Sequence, residues 1–291
     1  MSSAFLHQSN EPAPTHSRPL VGLLPAGGRG TRISPLPMSK ELFPIGFKDW
    51  GNPTQGNQPS GLRPKVACQY LLDNMRRAGI TTAFIILRPG KWDIPDYLGD
   101  GSFLGMNLAY LTIHVPFGVP FSLNQAYPFI QDATVAIGFP DILIQPEDAY
   151  ARLLDRLRQT NADVVLGLFP TDQPEKVGVV DYDEHNGRVS GIFEKSNFTH
   201  LRYMWAIALW QPAFTEFLNG FIQDKLQALI GTRSPQTLTQ MPPYTEIPIG
   251  DVIQAAIDAG LHVNSYPFET GSYLDIGTPD NLQKAIREHL P

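Results

Sequence analysis

Cysteine and long apolar runs are scarce in this 291-residue sequence, which contains a single cysteine, Cys68. A lone cysteine cannot form an intramolecular disulfide. Because Cys68 lies in an apolar helical pattern, we expect it to pack in the core of a protein from a reducing compartment. No stretch approaches the ~20 apolar residues of a membrane-spanning helix. Residues 1–18 also lack the basic start and apolar middle of a signal peptide. These absences predict a cytoplasmic protein with no membrane partner.

Long runs of lysine or arginine are also missing, and the formal net charge is −6. A chain of this charge lacks the extended cationic surface that binds a nucleic-acid backbone, so we expect no nucleic-acid partner. A small anionic ligand requires only a local cationic pocket. With 42% apolar and 17% charged residues, the chain has the composition of a globular protein with a sizeable core.

The order of the predicted elements indicates the fold class. Residues 1–18 show no periodicity and are predicted to be a disordered tail, whereas residues 19–291 are predicted to form a single domain. Short β-rich segments then alternate with helical ones, as in an α/β protein with a mostly parallel sheet. The predicted buried strands are Leu20–Leu24, Thr82–Leu87, Leu108–His114, Thr134–Gly138 and Asp163–Phe169.

Helices and one hairpin are predicted between and after these strands. Apolar residues recur at helical spacing between residues 65 and 78, and a second helix is expected to start near Pro146. Asn186-Gly187 separates two strand-like segments, which indicates an antiparallel hairpin inserted in the α/β pattern. Residues 47–63, rich in Gly, Pro, Asn and Gln, carry no pattern and are predicted to be a long inserted loop.

A glycine-rich turn, PAGGRGTR at residues 25–32, follows the first predicted strand and is called the glycine loop below. Glycines at such a turn let backbone N–H groups approach phosphate oxygens or a base closely. The dinucleotide fingerprint fails because Ile33 stands where a third glycine is required, and the Gly-Lys-Ser/Thr ending of a P-loop is absent. Arg32 and Lys40 supply cations for a triphosphate. The segment therefore predicts a phosphate-binding loop.

The glycine loop, Pro35-Leu36 and the run SKELFPI at residues 39–45 together resemble the signature of nucleoside-triphosphate:sugar-1-phosphate nucleotidyltransferases, the sugar-nucleotide pyrophosphorylases. The Ser-Lys-x-Leu spelling is most similar to that of glucose-1-phosphate thymidylyltransferases. The resemblance implies a three-layer, Rossmann-like, mostly parallel sheet, similar to the GT-A fold, with an antiparallel sugar-binding excursion. It implies that Arg32 and Lys40 are catalytic cations on the triphosphate. The nucleotide-binding residues that it implies are Leu24, Ala26, Gly27, Gly28, Gly30, Thr31 and Gln125.

Further landmarks follow in the order that the family shows. Asp141 ends the motif Gly-Phe-Pro-Asp after a predicted strand, and Asp275 lies in the motif Tyr-Leu-Asp-Ile-Gly-Thr-Pro. By the resemblance these two carboxylates bind a divalent cation, and their hard oxygen atoms suit Mg²⁺. The residues implied to bind the sugar phosphate are Gly178, Glu194 and Lys195.

The implied reaction is an in-line displacement, in which a sugar 1-phosphate oxygen attacks the α-phosphorus of a nucleoside triphosphate and pyrophosphate leaves. Among nucleoside triphosphates dTTP or UTP is favoured, and among sugar 1-phosphates glucose 1-phosphate is favoured. The base stays open, because Phe117 stands where thymidylyltransferases often have a base-reading glutamine. In addition, Pro140 precedes Asp141 as it does in uridylyltransferases. The resemblance is compatible with a homo-oligomer.

Two other functions compete with this one. A sugar-nucleotide sensor would keep the pocket without turnover, whereas an enzyme is favoured by the joint presence of Arg32, Lys40, Asp141, Lys195 and Asp275. A glycosyltransferase on a similar sheet would carry an Asp-x-Asp metal motif. The sequence Asp181-Tyr182-Asp183 has that spelling but lies on the predicted hairpin turn, away from the glycine loop. His114 and His185 have no partner at metal-ligand spacing and are assigned no chemical role.

Overall fold

The computed structural model describes residues 18–50, 61–114, 117–195, 200–230 and 246–289. The strands are β1 (Leu20–Pro25), β2 (Pro44–Asp49), β3 (Leu62–Val66), β4 (Thr82–Leu87), β5 (Asn107–Thr112), β6 (Thr134–Ile137), β7 (Ile142–Gln145), β8 (Val164–Pro170), β9 (Gly178–Tyr182), β10 (Val189–Glu194), β11 (Tyr203–Trp210), β12 (Val263–Pro267) and β13 (Ser272–Asp275). The helices are α1 (Ala67–Arg77), α2 (Asp93–Leu98), α3 (Val119–Asn124), α4 (Tyr127–Ile130), α5 (Ala149–Thr160), α6 (Pro212–Ile230), α7 (Ile249–Asp258) and α8 (Pro279–His289). Within the described ranges, no helix is both long and apolar enough to cross a bilayer.

The centre of the main sheet is a parallel block built around β1. This strand pairs in parallel with β4 on one side and with β6 on the other, and β5 lies outside β4. β1, β4 and β6 are short and almost entirely apolar, as is typical of parallel strands covered on both faces. The predicted α/β class with a largely parallel sheet is confirmed. The five predicted strands are present, with ends that differ by one or two residues.

The sheet changes direction at β11, which runs antiparallel to β6, β8 and β9. β12 pairs in parallel with β8. β9 and β10 form the predicted antiparallel hairpin, and Gly187 in its turn has a φ of +75°. Asp183 closes this turn by accepting hydrogen bonds from the backbone of His185 at 2.8 Å and from the side chain of Asn186 at 2.7 Å. The Asp-x-Asp sequence therefore belongs to the hairpin, with Asp181 and Tyr182 at the end of β9 and Asp183 in the turn.

Helices cover both faces of the main sheet and enclose two hydrophobic cores. Leu24 of β1 belongs to one core and Leu23 to the other, because successive side chains of a strand point to opposite faces. The first core includes Leu71 of α1 and Leu153 of α5, and the second core is lined by α3, α6 and α7. The result is the three-layer arrangement that the resemblance implied.

A two-stranded ribbon, β2–β3, precedes α1 and corrects one prediction. The prediction of a patternless loop over residues 47–63 is wrong at both ends, because β2 continues to Asp49 and β3 starts at Leu62. Residues 51–60 lie outside the described ranges, as does most of the predicted tail. The ribbon is stabilised by two lysines that contact Asp73 of α1. Such contacts between separate elements leave no periodic pattern in the sequence.

The two predicted helices are present, but both begin later than expected. α1 begins at Ala67, and Gly79 follows it with a φ of +83°, as expected for a glycine after a helix. α5 begins at Ala149 rather than near Pro146, because β7 continues to Gln145 and the chain must turn before the helix. A single domain over residues 19–291 stays a prediction.

Candidate active site

One cavity, called the main cavity below because the glycine loop borders it, lies at the carboxyl ends of β1, β4 and β5, the edge where open α/β sheets bind ligands. Its volume is about 460 Å³. The glycine loop contributes Gly27, Gly28 and Arg29, while Arg88 follows β4 and His114 follows β5. Other residues of its wall are Lys40, Glu41, Ser122, Phe139, Asp141 and Glu246.

The glycine loop has the local geometry that its sequence predicts. The N–H of Ala26 donates to the carbonyl of Ile86 at 2.8 Å, so the loop leaves β1 beside the end of β4. Gly30 has a φ of +63°, in the left-handed region that favours glycine, and its carbonyl accepts two backbone hydrogen bonds from the next turn. The backbone of Gly28 thereby lies on the cavity wall with no side chain to cover it.

A short 3-10 helix, Lys40–Leu42, carries two charged side chains to the cavity wall. Ser39, just before it, donates through its N–H and its hydroxyl to Asp93 of α2, at 2.7 and 2.8 Å. Glu41 accepts hydrogen bonds from Lys91 at 2.6 and 2.7 Å, and both side chains are buried. These contacts anchor the backbone from which Lys40 projects.

Lys40 forms an ion pair with Asp141, and both side chains are largely buried. Burial alone would lower the pKa of Lys40, but the carboxylates of Asp141, Glu41 and Asp275 raise it above its ordinary value of 10.5. Lys40 is therefore a cation throughout the physiological pH range. Burial also raises the pKa of Glu41, against the opposing effect of Lys91.

The ribbon β7–β13 brings the two predicted metal ligands together. Its register places Asp275 opposite Ile142, the residue that follows Asp141. The N–H of Ile276 donates to the carbonyl of Asp141 at 3.0 Å. Arg32 contacts the carboxylate of Asp275 at 3.2 Å. Each predicted metal ligand is thus paired with one of the two predicted catalytic cations.

Glu194, at the end of β10, lies between two glycines. A Cβ placed on Gly178 would stand 2.8 Å from Oε1 of Glu194, and one placed on Gly250 would overlap the same oxygen. The N–H of Gly250, in the first turn of α7, donates to the carboxylate. Burial and the charge of Asp251 raise the pKa of Glu194 above its ordinary value of 4.5, although Lys195 opposes them. The Lys195 side chain is exposed.

The family described as "Nucleotidyl transferase" matches residues 63–290 of this chain, which is well over half of it. The chain belongs to this family. The matched range begins after the glycine loop, whereas individual relatives align over 91% of the chain.

Two curated relatives show what share of another family member aligns with this nucleotidyltransferase. A low-salt glycan biosynthesis nucleotidyltransferase of Haloferax volcanii is 24% identical over 272 residues, which are 91% of this chain and 65% of that protein. A glucose-1-phosphate thymidylyltransferase of Xanthomonas campestris is 30% identical over 275 residues, which are 91% of this chain and 78% of that protein. The chain therefore spans just under two thirds of the first relative and more than three quarters of the second.

A solved structure has the same fold. It is a Bacillus anthracis protein, provisionally described as a glucose-1-phosphate thymidylyltransferase, in complex with a sucrose. The TM-score is 0.70 at 19% sequence identity, and the alignment covers 93% of this nucleotidyltransferase and 95% of that chain. At this identity the likeness shows the fold alone.

In this nucleotidyltransferase, the predicted nucleotide-binding glycines line cavities, whereas their apolar neighbours are buried. Gly27 and Gly28 line the main cavity, and Gly30 lines a second cavity on the other side of the loop. The side chains of Leu24 and Ala26 are buried in the core. Those two side chains pack into the core at the base of the loop and do not reach the cavity.

The remaining two predicted nucleotide-binding residues, Thr31 and Gln125, are exposed and lie outside the cavity wall. α3 ends just before Gln125, and Ser122 within that helix lines the cavity instead. Phe117, at the position where the resemblance predicts a residue that reads the base, is buried against Phe121. In this region the structure places Ser122 in the cavity wall and Gln125 outside it, and a nucleotide-binding role for Gln125 stays a prediction.

The predicted sugar-phosphate residues form a separate group around the start of α7. None of Gly178, Glu194 and Lys195 contributes to the wall of the main cavity. The segment that leads into α7 connects the two regions, since Glu246 lines the cavity and Gly250 contacts Glu194.

The sequence analysis missed two polar residues that line the main cavity. Arg88 was not singled out, and His114 was assigned no chemical role. Arg88 directly follows the predicted strand Thr82–Leu87 and His114 ends the predicted strand Leu108–His114, so both lie at the carboxyl edge of the parallel block. That position was a usable signal, because ligands of open α/β sheets bind at this edge.

Proposed function

We propose that this nucleotidyltransferase transfers a nucleoside monophosphate from a nucleoside triphosphate to a sugar 1-phosphate and releases pyrophosphate. The observation that carries the proposal is the contact of Lys40 with Asp141 on the wall of the cavity that the glycine loop borders. A phosphate-binding loop, a buried cation and a carboxylate are the groups that phosphoryl-type transfer requires in one place.

In the proposed reaction, a phosphate oxygen of the sugar 1-phosphate forms a bond to the α-phosphorus of the triphosphate. The bond from that phosphorus to the bridging oxygen breaks, and its electron pair leaves with pyrophosphate. Two anions must approach each other, so the residues act mainly by holding them in line and neutralising charge. Lys40 and Arg32 are the cations proposed for this role.

Asp141 and Asp275 are the residues that would hold a divalent cation, with Mg²⁺ proposed. Carboxylate oxygens from two neighbouring strand ends suit a hard cation, and phosphate oxygens would complete its coordination. Within the described ranges, no group of three or more acidic, His or Cys side chains could bind a metal without such help. When bound, the cation would supply additional charge neutralisation at the phosphates.

The ion pairs imply an exchange of partners when substrate binds. Lys40 and Arg32 contact the carboxylates of Asp141 and Asp275 in this structure. A triphosphate would compete for both cations, and each carboxylate would then be available to another cation. Until then the existing pairs satisfy the largely buried charges of Lys40 and Asp141 and the half-buried charge of Asp275, which the exposed Arg32 contacts.

Gly178, Glu194 and Lys195 are proposed to bind the sugar 1-phosphate, with glucose 1-phosphate favoured. The Glu194 carboxylate, held at the first turn of α7, is an acceptor for sugar hydroxyls. Lys195 has an exposed ammonium group that can bind the phosphate. Because these residues lie beside the main cavity and not in its wall, the proposal places sugar and nucleotide in adjoining sites.

The proposed nucleotide is dTTP or UTP. Phe117 is buried and has no polar atom in its side chain, so it does not read the base as a glutamine would. His114 and Ser122 are polar side chains of the cavity wall that are available to the base instead.

The test is pyrophosphate release from ATP, GTP, CTP, UTP and dTTP, each paired with glucose 1-phosphate and with other sugar 1-phosphates. We expect Mg²⁺-dependent release with one preferred pairing and loss of release when a chelator is added. Lys40→Gln should abolish release, whereas Lys284→Gln on the exposed face of α8 removes the same charge and should leave it unchanged.

The alternative function, a sugar-nucleotide sensor without turnover, predicts a different result. If no pairing in the panel releases pyrophosphate and the protein binds a nucleotide sugar measurably, the result would contradict the proposed transferase and support the sensor. The pairing of all four predicted catalytic and metal-binding charges in this structure favours the enzyme.

A further inference from the structure

Arg88 occupies a prominent position beside the glycine loop. It follows β4, the strand next to β1, and its backbone nitrogen lies 4.0 Å from where a Cβ of Gly27 would stand. Its side chain lines both the main cavity and the second cavity. An arginine there has a planar group of five donors within reach of any ligand that the glycine loop holds.

The Arg88 guanidinium is poorly satisfied by the protein itself. Its Nε is buried and makes no hydrogen bond, and the one hydrogen bond found for Nη1 goes to the carbonyl of the adjacent Pro89 at 3.1 Å. Among the described residues, no carboxylate forms an ion pair with Arg88, whereas Lys40 and Lys91 each have one. A guanidinium with so few protein acceptors is available to an anion that enters the cavities, and a buried donor without an acceptor contributes nothing to the stability of the fold.

The second cavity, of about 440 Å³, adjoins the main cavity and has a cationic wall. The two cavities share Gly28, Arg29, Lys40 and Arg88. Of the described residues in the wall of the second cavity, one has a carboxylate, Asp93, and it already accepts two hydrogen bonds from Ser39. Arg29 and Arg88 are therefore left to bind an anion that extends from one cavity into the other.

We propose that Arg88 binds the β- and γ-phosphates of the nucleoside triphosphate in the second cavity, and so holds the pyrophosphate that leaves. This inference rests on the proposed function. A nucleotide in the main cavity with its phosphates at Lys40 would extend past the glycine loop into the second cavity. Bidentate contacts from Arg88 then align the bond that breaks and neutralise the leaving group.

The test uses Arg88→Gln and Arg88→Met in the full chain, with two measurements. Calorimetric titration with inorganic pyrophosphate measures the leaving-group site directly, without turnover. Initial rates of the reverse reaction give separate KM values for pyrophosphate and for the nucleotide sugar. We expect both variants to weaken pyrophosphate binding and raise its KM by about tenfold to a hundredfold, while the KM of the nucleotide sugar changes by less than about twofold.

Stability provides an independent readout. Because Nε of Arg88 has no partner, Arg88→Met should leave the thermal midpoint unchanged or raise it. Arg158→Gln is the control, since this exposed side chain pairs only within α5 and its loss should change neither binding nor stability. A lower midpoint with equal losses for both substrates would overturn the inference in favour of a structural role.

Two further outcomes separate this inference from the proposed function. Unchanged pyrophosphate affinity in both variants, with an active wild-type enzyme, overturns the role of Arg88 and leaves the reaction standing. Absence of turnover in the wild type contradicts the proposed reaction, while a loss of calorimetric pyrophosphate binding in the variants still supports the site.

Discussion

The ammonium nitrogen of Lys91 contacts both carboxylate oxygens of Glu41, at 2.6 and 2.7 Å, and both side chains are buried. Glu41 is the residue after Lys40, so this ion pair lies directly behind the cation proposed to bind the triphosphate. Charges withdrawn from water are tolerated when each has a close partner, and removing one partner leaves the other buried and uncompensated.

Glu41→Gln should therefore destabilise the protein by about 3 kcal/mol. The double variant Glu41→Leu with Lys91→Met removes both charges at similar volume and should recover most of that loss. Urea unfolding of the wild type and both variants measures the difference. If Glu41→Gln is as stable as the wild type, the Glu41–Lys91 ion pair does not stabilise the fold as predicted.

Asp141→Asn should lower turnover much more than it lowers stability. The substitution keeps the size and a hydrogen-bond acceptor for Lys40 but removes the charge proposed to bind the metal ion. We expect kcat for pyrophosphate release to fall about 100-fold or more, equivalent to about 2.7 kcal/mol, and the free energy of unfolding to fall by about 1 kcal/mol. Asp155→Asn on the surface of α5 is the matched control. An unchanged rate would remove Asp141 from the metal site.

Gly250→Ala should displace Glu194, because the added Cβ would overlap its Oε1 atom. We expect the KM for the sugar 1-phosphate to rise about tenfold, and the KM for the nucleoside triphosphate to stay nearly constant. Alanine favours a helix over glycine by about 1 kcal/mol, so the loss should not come from α7 unfolding. Gly220→Ala in α6, where a Cβ meets no atom within 4 Å, is the control. Equal effects on both substrates would argue against a sugar site at Glu194.

Asp73 should make the stability of the protein depend on pH. Burial alone would raise its pKa, but hydrogen bonds from Lys48 and Lys65 outweigh burial and lower it below 3.8. A carboxyl with a depressed pKa adds stability that is present above its unfolded value and is lost as the pH falls through its folded value. Asp73→Asn should cost about 2 kcal/mol at pH 7. Unfolding curves of both proteins should converge below pH 3.8, and a gap that persists there would contradict this assignment.

The glycine loop and the neighbouring secondary structure were visible in the sequence because their conformations depend on residues close together in the chain. The glycine loop with its left-handed Gly30, and the apolar strands on either side of it, follow from local conformational preferences and from burial of both sheet faces. The same is true of the β9–β10 hairpin with its Asn-Gly turn. The family resemblance extended these local signals to Asp141, just before β7, and to Asp275, at the end of the paired strand β13.

Other parts of the site depend on contacts that no local pattern encodes. Gln125 matched a family segment, yet the end of α3 turns it outward and leaves Ser122 in the cavity wall. Arg88 gave no motif, and its proposed role rests on its place in the walls of two cavities and on a buried Nε without a partner.

The sequence by itself determined the α/β class and the turn of the glycine loop, because these depend on neighbours a few positions apart, and it named the charged residues. The tertiary structure decided which charges meet. Lys40 with Asp141, Arg32 with Asp275 and Glu41 with Lys91 are paired by strand order and by the ribbon β7–β13. The two residues of each pair are far apart in the chain. They come within contact distance, and the buried pairs lose contact with water, only when the sheet and its two helical layers pack together.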